Sequence, residues 1–141
     1  MGDRHNIGII QQTWGDAHPQ GILWLYSHSG FWVDNPQVDG YAACLALALD
    51  EARPRWDDHT YFNRIIIHTL GESVRGIGVG KATGDEHKRY VLNSDAKTVG
   101  LYDNYPWDGS LGSMPEPLVT FSFEDFITKY RKHGKTVRNE Y

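Results

Sequence analysis

The run YAACLALALDEA, residues 41–52, constrains the fold more than any other stretch of the chain. Tyr41, Leu45 and Leu49 recur every four residues, which predicts a helix with one buried face, and Pro54 ends the pattern. A second helical pattern follows at once from Asp58 to Leu70, with Gly71 at the position of a C-terminal glycine. The sequence therefore predicts two consecutive helices that pack on other elements of one domain.

The segments around these helices have the patterns of strands. Residues 6–14 and 22–28 predict a hairpin, GIGVGKAT (76–83) a strand with one flat face, and residues 88–103 a hairpin that turns at NSDA. PLVTF (117–121) predicts a final strand, and Ser122 with Asp125 resembles the start of a last helix ending near Gly134. We predict a single α+β domain over residues 1–134, with a mainly antiparallel sheet, an N-terminal hairpin, two consecutive helices, a C-terminal helix and a flexible tail at 135–141.

The composition of the chain indicates which kinds of binding partner and which cellular compartment to expect. The net charge is −4 over 141 residues, which argues against binding to extended nucleic acid, since such binding relies on a basic surface. The one cysteine, Cys44, lies in an apolar helical run, so a reducing compartment is expected. No apolar run has the length of a membrane span. We predict a cytoplasmic protein that does not bind membranes and that forms a homo-oligomer.

Several sequence motifs are incomplete. GIGVGKAT lacks both the first glycine and the final Ser or Thr of a phosphate-binding loop, because Arg75 and Ala82 occupy those positions. Its alternating glycines also miss the dinucleotide-binding pattern. No HxH, HExxH or CxxC spacing occurs, and YSHSG is not the nucleophile elbow of hydrolases. We therefore predict no metal and no cofactor.

One group of polar and aromatic residues remains as a candidate ligand-binding site. YSHSG (26–30) ends the second strand and RWDDHTYFNR (55–64) begins the second helix, and such element ends hold exposed polar groups on a rigid scaffold. His28 is a proton-transfer candidate, the arginines suit a phosphate or carboxylate, and the aromatic rings suit a base. The predicted ligand-binding residues are Tyr26, His28, Ser29, Arg55, Trp56, Tyr61 and Arg64.

These residues also have purely structural interpretations. Trp56 also fits a lid on the core, and His28 a hydrogen bond to backbone at a strand end. Asp57 and Asp58 fit a helix cap and a partner of the helix dipole better than a catalytic pair. The predicted structural caps are Asp57, Asp58 and Ser122.

The combined pattern resembles a family of small uncharacterised bacteriophage and bacterial proteins. That family carries a strand ending Leu-Tyr-Thr-His-Trp-Gly-Gly, then a helix and Arg-Trp-Asp-Asp-x-x-Tyr-x-x-Arg-Ile-Ile. Leu25, Tyr26, His28 and Gly30 match the first motif, with Ser27 for Thr and Ser29 for Trp; residues 55–58, 61 and 64–66 match the second. The resemblance spans about residues 22–80 and implies no particular reaction. Its phage association suggests action against a host defence.

Three functions fit these observations. The first is a non-enzymatic binding protein that captures a small anionic, nucleotide-like ligand and so sequesters a host defence signal. The second is a phosphoesterase or other hydrolase with His28 as general acid or base. The third is an inhibitor that binds a host defence protein through the aromatic loop at residues 102–109, for which packing as a surface cover is the alternative.

Overall fold

The computed structural model describes residues 5–12, 19–27, 40–73, 77–80, 88–103 and 107–133. Six strands form one sheet and three α-helices accompany them, so the predicted α+β arrangement is confirmed. The strands are β1 (His5–Gln12), β2 (Pro19–Ser27), β3 (Gly78–Gly80), β4 (Arg89–Asn93), β5 (Thr98–Tyr102) and β6 (Val119–Ser122). The helices are α1 (Gly40–Glu51), α2 (His59–Ser73) and α3 (Phe123–Tyr130), with short 3₁₀ turns at Arg53–Arg55, Leu111–Ser113 and Arg131–His133. The predicted tail lies outside the described residues.

The sheet order is β3-β2-β1-β4-β5-β6. Four of the neighbouring pairs are antiparallel, including the two predicted hairpins β1–β2 and β4–β5. The pair β1–β4 is parallel, with Ile7 opposite Tyr90 and Ile9 opposite Leu92. Parallel strands cannot be joined by a tight turn. Between β1 and β4 the chain forms β2, α1, α2 and the edge strand β3, so α1 and α2 lie in the connection from β2 to β3.

Helix α1 lies in the middle of the protein and is buried on every side. Each residue from Ala42 to Leu49 is at most 7% exposed, including the alanines between the leucines. The expectation of one buried face was wrong, because α2 and α3 both pack against α1. Alanine allows this close approach, since it fills little volume and favours the helix. The helix joins the main core, in which Cys44 is buried.

Helix α2 extends beyond its predicted end. It continues to Ser73, so Gly71 lies within the helix and is not its C-terminal cap. A Cβ at Gly71 would lie 3.8 Å from Ile77, an ordinary contact. The predicted stop at Pro54 is correct for α1, which ends at Glu51 before a 3₁₀ turn containing that proline.

In the part of the chain that the structure describes, an irregular segment and no α-helix covers the second face of the sheet. Ile10, Trp24 and Val91 point to this face, and Trp107 packs on them. The Trp24 and Trp107 rings meet edge to face, with centroids 5.4 Å apart, and Trp24 Nε1 donates to the Gly109 carbonyl at 2.9 Å. Such edge-to-face pairs are a preferred aromatic geometry. Residues 107–114 thus close a second, smaller core.

Candidate functional site

The predicted site residues lie at two opposite ends of the sheet. Asn63 on α2 donates through Nδ2 to Gln11 Oε1 at 2.9 Å, so α2 begins near the C-terminal end of β1. Tyr26 instead pairs with Asn6, five residues back along β1 from Gln11, and with Gly78 on β3. At about 3.4 Å per residue the two positions are about 17 Å apart. We call the first the turn end, because the β4–β5 turn lies there, and the second the Tyr26 end.

This separation divides the predicted ligand-binding set. The four residues Arg55, Trp56, Tyr61 and Arg64 are at the turn end, around the start of α2. Tyr26 is at the other end and is not brought together with them. His28 and Ser29 lie outside the described residues. The turn end therefore holds the larger part of the predicted site.

Trp56 is a wall of the core at the turn end. Its indole N–H donates to the Leu49 carbonyl at 3.0 Å, and its ring meets Phe123 edge to face at 5.1 Å. The Arg53 guanidinium lies 4.8 Å from the centre of the Trp56 ring. Arg53 is itself paired with Asp50 and Glu124, and the hydrogen bond that it donates to the Glu124 carboxylate raises the pKa of Arg53. These contacts give Trp56 a packing role, whereas its remaining edge lines the cavity described below.

Arg55 and Tyr61 form a cation–aromatic pair on the surface. The Arg55 guanidinium lies 4.8 Å from the centre of the Tyr61 ring, and Tyr61 is 45% exposed. Arg55 also forms a 3.7 Å ion pair with Asp58. Arg64, one helical turn after Tyr61, is exposed, and no hydrogen bond or ion pair joins its side chain to the part of the chain that the structure describes. Two guanidinium groups and an aromatic ring thus share one surface.

The two aspartates between these residues have different partners. Asp58 occupies the cap of α2, where its Oδ1 accepts from the Tyr61 backbone N–H at 3.4 Å and its carbonyl accepts from Phe62 at 2.8 Å. Asp57 extends away from the helix and forms a 2.6 Å ion pair with Lys97 of the β4–β5 turn. At α3, Ser122 Oγ accepts from the Asp125 N–H at 3.1 Å. Asp58 and Ser122 therefore satisfy helix N–H groups, and Asp57 joins two elements.

A surface cavity of about 90 Å³ opens beside Trp56, between the start of α2 and the β4–β5 turn. The turn is held by Asn93, whose Oδ1 accepts from the N–H groups of Asp95 and Ala96. Sequence reasoning placed this turn correctly but attached no function to it, because nothing local links it to a helix 36 residues earlier. The cavity is lined by Trp56, Asp57, His59, Ser94, Asp95 and Lys97.

The Tyr26 end carries polar residues that sequence reasoning also missed. Arg89 is only 5% exposed, and its guanidinium lies 5.3 Å from the Trp24 ring and 5.5 Å from the Trp107 ring. Its Nη1 donates to the Trp107 carbonyl at 3.2 Å. Tyr102 pairs with Arg89 across β4 and β5, and burial followed by the nearby Glu116 charge raises the pKa of Tyr102. Arg89 therefore secures the covering segment to the sheet.

The described residues contain neither a group of metal ligands nor a helix that could span a membrane. Within the described ranges, no three His, Cys, Asp or Glu side chains are grouped so that they hold a metal ion. None of the described helices combines the length and the apolar character that crossing a membrane requires.

Comparison with known proteins gives no identification. No protein-family model, curated protein or solved structure matches the chain. The resemblance to small phage and bacterial proteins stays a prediction.

Proposed function

We infer that the protein captures a small anionic, nucleotide-like ligand at the start of α2 and releases it unchanged. The observation that carries this proposal is the placement of the Arg55 guanidinium over the exposed ring of Tyr61, with Arg64 one turn further along the helix. Guanidinium groups bind phosphate through two parallel hydrogen bonds, and an exposed aromatic ring stacks on a base. The surface therefore combines the two contacts that a nucleotide offers.

Each group has a defined part in this proposal. Arg64 binds the phosphate, because its charge is not neutralised by a described partner. Tyr61 supplies the stacking surface, and Arg55 holds the ring in place while adding a second positive charge. Trp56 stays in the core and does not stack on the ligand. The predicted roles of Tyr26, His28 and Ser29 are not needed for this site.

The wider role follows from the resemblance to phage proteins. Capture without turnover is a means of sequestering a nucleotide signal of a host defence, and a cytoplasmic location suits that role. The buried free thiol of Cys44 supports a reducing compartment. Self-association is supported by Leu118 and Val119, which are 51% and 40% exposed at the outer strand β6. Light scattering of the purified protein measures that oligomeric state directly.

The direct host-protein inhibitor is less well supported. That hypothesis used the aromatic loop at residues 102–109 as a binding surface, but Trp107 is 5% exposed and packs on Trp24. A buried ring is not accessible as a hot spot for a partner. The geometry favours a covering segment.

The proposal is tested by isothermal titration of the purified protein with mononucleotides, dinucleotides and cyclic dinucleotides. We expect Arg64→Ala to weaken binding by about 10-fold to 100-fold, since hydrogen bonds to charged groups contribute about 1.5–3 kcal/mol. Tyr61→Ala removes the stacking surface and should weaken binding similarly. The matched control is Lys88→Ala, which removes one positive charge at the Tyr26 end, where Lys88 pairs with Asp103. Equal affinity of the control and the Arg64 variant would place the ligand elsewhere.

A second measurement separates capture from catalysis. The ligand is recovered after incubation and analysed by mass spectrometry. Unchanged ligand supports the proposal. Chemical turnover would contradict it and would favour the phosphoesterase, for which loss of turnover in His28→Ala is the decisive result.

A further inference from the structure

We propose that the cavity beside Trp56 is a second binding site, which takes a small zwitterion of the amino-acid class. The ligand inserts between Lys97 and Asp57, so that its carboxylate meets the ammonium group and its own ammonium meets the aspartate. The site is independent of the nucleotide surface, because neither Tyr61 nor Arg64 lines the cavity.

The charges of the lining select a ligand with both signs. Lys97 Nζ and Asp57 Oδ1 are 2.6 Å apart, and Asp95 adds a second carboxylate to the same cavity. A simple anion that takes Lys97 leaves Asp57 without its cation, and a simple cation leaves Lys97 without its anion. A zwitterion exchanges one ion pair for two, so neither charge loses its partner. Specificity of this kind comes from penalising the wrong ligand as much as from favouring the right one.

The ion pair between Lys97 and Asp57 is easily separated by a ligand. The Asp57 side chain is 88% exposed and the Lys97 side chain 40% exposed. Exposed ion pairs contribute little to stability, because water screens them and holding two long side chains together costs entropy. Inserting a ligand between the two groups therefore meets only a small opposing free energy.

The hydroxyl of Ser94 completes the polar lining. Ser94 is only 6% exposed although it lines the cavity, and within the described part of the chain its side chain forms no hydrogen bond. The hydroxyl is therefore free to form a hydrogen bond with a ligand atom in the cavity. Ser94 is placed to donate to the carboxylate that Lys97 binds. His59, the first residue of α2, also lines the cavity and offers a further polar contact.

The size of the cavity limits the ligand. About 90 Å³ corresponds to the volume of roughly three water molecules at about 30 Å³ each. Pockets for drug-sized ligands typically measure about 300–1,000 Å³, so a whole nucleotide does not fit. Glycine, alanine and serine are of suitable size, and the indole of Trp56 gives a small side chain an apolar wall.

The test is a titration of the full chain, followed by two-dimensional NMR through the indole N–H signal of Trp56. Glycine and L-alanine are the probes, and acetate and methylammonium are the analogues that carry one charge each. We expect the zwitterions to shift the signal saturably and each analogue to bind at least about ten-fold more weakly, the factor that corresponds to about 1.4 kcal/mol. Acetate or methylammonium binding as tightly as glycine would overturn the proposal, as would no zwitterion binding at tens of millimolar.

Substitutions of Asp57 and Lys97 test whether the zwitterion binds in this cavity. Asp57→Asn and Lys97→Met should each weaken glycine binding at least about ten-fold. The double variant Asp57→Lys with Lys97→Asp exchanges the positions of the two charges, so it keeps an ion pair and should retain binding. The matched controls are Asp103→Asn and Lys88→Met, because Lys88 and Asp103 form a comparable exposed pair, 3.5 Å apart, at the other end of the sheet. Unchanged affinity in Lys97→Met would overturn the proposal. Arg64→Ala, which tests nucleotide capture, should leave glycine binding unchanged, so the two proposals fail separately.

Discussion

Asn63 Nδ2 donates a 2.9 Å hydrogen bond to Gln11 Oε1, and this contact joins the first turns of α2 to the C-terminal end of β1. The helix then runs toward the Tyr26 end, where Gly71 lies beside Ile77, the residue before β3. The direction of α2 decides which polar groups share a site. Asp57, next to the start of α2, meets Lys97 of the β4–β5 turn at this end of the sheet, and Tyr26 lies at the other end.

The first prediction concerns this contact. Asn63→Ala and Gln11→Ala should each lower the free energy of unfolding by about 0.5–1.5 kcal/mol, the typical net contribution of one hydrogen bond. The double variant should lose less than the sum of the single losses, because both substitutions remove the same bond. Urea denaturation of the four proteins measures this cycle. Strictly additive losses would mean that the bond does not contribute to stability.

Local patterns were sufficient to predict the elements themselves. Leu45 and Leu49 at helical spacing predicted α1, and the NSDA turn predicted the β4–β5 hairpin, because both signals depend on neighbours in sequence. The register of the sheet and the direction of the helices depend on contacts between distant segments. The parallel pairing of Ile7 with Tyr90 has no local signal in the sequence. Without that pairing, the sequence does not show which residues lie at the turn end of the sheet and which lie at the Tyr26 end.

The candidate site shows the same limit. Arg55 and Tyr61 were predicted to act together, and they are six residues apart on adjoining elements. Lys97 was missed, because its relation to Asp57 spans 40 positions of the sequence. One signal was available: Lys97 is itself the last residue of the turn, a position with a left-handed backbone where glycine or asparagine is usual.

Trp56 should behave as a core residue. Trp56→Ala removes the ring contact with Phe123 and the hydrogen bond to the Leu49 carbonyl. We expect it to lower the free energy of unfolding by about 2–4 kcal/mol, less than the about 3–5 kcal/mol of a fully buried tryptophan. Trp56→Phe keeps a ring and loses the hydrogen bond, so its cost should be about 1 kcal/mol. Thermal or urea unfolding measures both.

The control for Trp56 is the exposed ring of Tyr61. Tyr61→Ala should change the stability by no more than about 0.5 kcal/mol, because substitutions at exposed positions usually have small effects. Comparable losses in the Trp56→Ala and Tyr61→Ala variants would contradict the distinction between a core wall and a ligand surface.

Trp107 should stabilise the fold as part of the cover on the second sheet face. It is 5% exposed, contacts Trp24, and donates through Nε1 to the Ser110 carbonyl at 2.9 Å. Trp107→Ala should therefore cost about 3–5 kcal/mol. Denaturant unfolding followed by Trp fluorescence measures the loss. Leu118→Ala, at a position 51% exposed, is the control; a Trp107 variant as stable as this control would return the loop to the role of a free interaction surface.

Asp108 gives this cover a pH dependence. Its carboxylate accepts from the Ser113 hydroxyl at 2.6 Å and from the N–H and hydroxyl of Ser110, and these hydrogen bonds lower the pKa of Asp108 to about 2. A carboxyl with a lowered pKa stabilises the fold above its unfolded pKa of about 3.9, and the stabilisation disappears as the pH falls through the folded value. The advantage of the native protein over Asp108→Asn should thus be full above about pH 5 and shrink toward pH 2.

Unfolding at a series of pH values measures that difference. Asp103→Asn is a suitable control, since Asp103 is exposed and pairs with Lys88 without a comparable set of hydroxyl donors. A difference between the native protein and Asp108→Asn that stays constant from pH 7 to pH 2 would show that the three hydrogen bonds do not favour the ionised carboxylate.

Lys97 adopts a backbone conformation that disfavours its own side chain. Its φ is 57°, in the left-handed region, which costs roughly 1–2 kcal/mol for residues with a Cβ. Lys97→Gly removes this strain together with the charge, whereas Lys97→Met removes the charge alone. We therefore expect the glycine variant to be more stable than the methionine variant by about 1 kcal/mol, since the greater freedom of glycine in the unfolded chain offsets part of the gain. Urea denaturation of the two variants tests this order, and a methionine variant at least as stable as the glycine variant would contradict it. The expected order means that a side chain at this position lowers stability relative to glycine, and in the native protein that side chain presents an ammonium group to Asp57 and to the cavity.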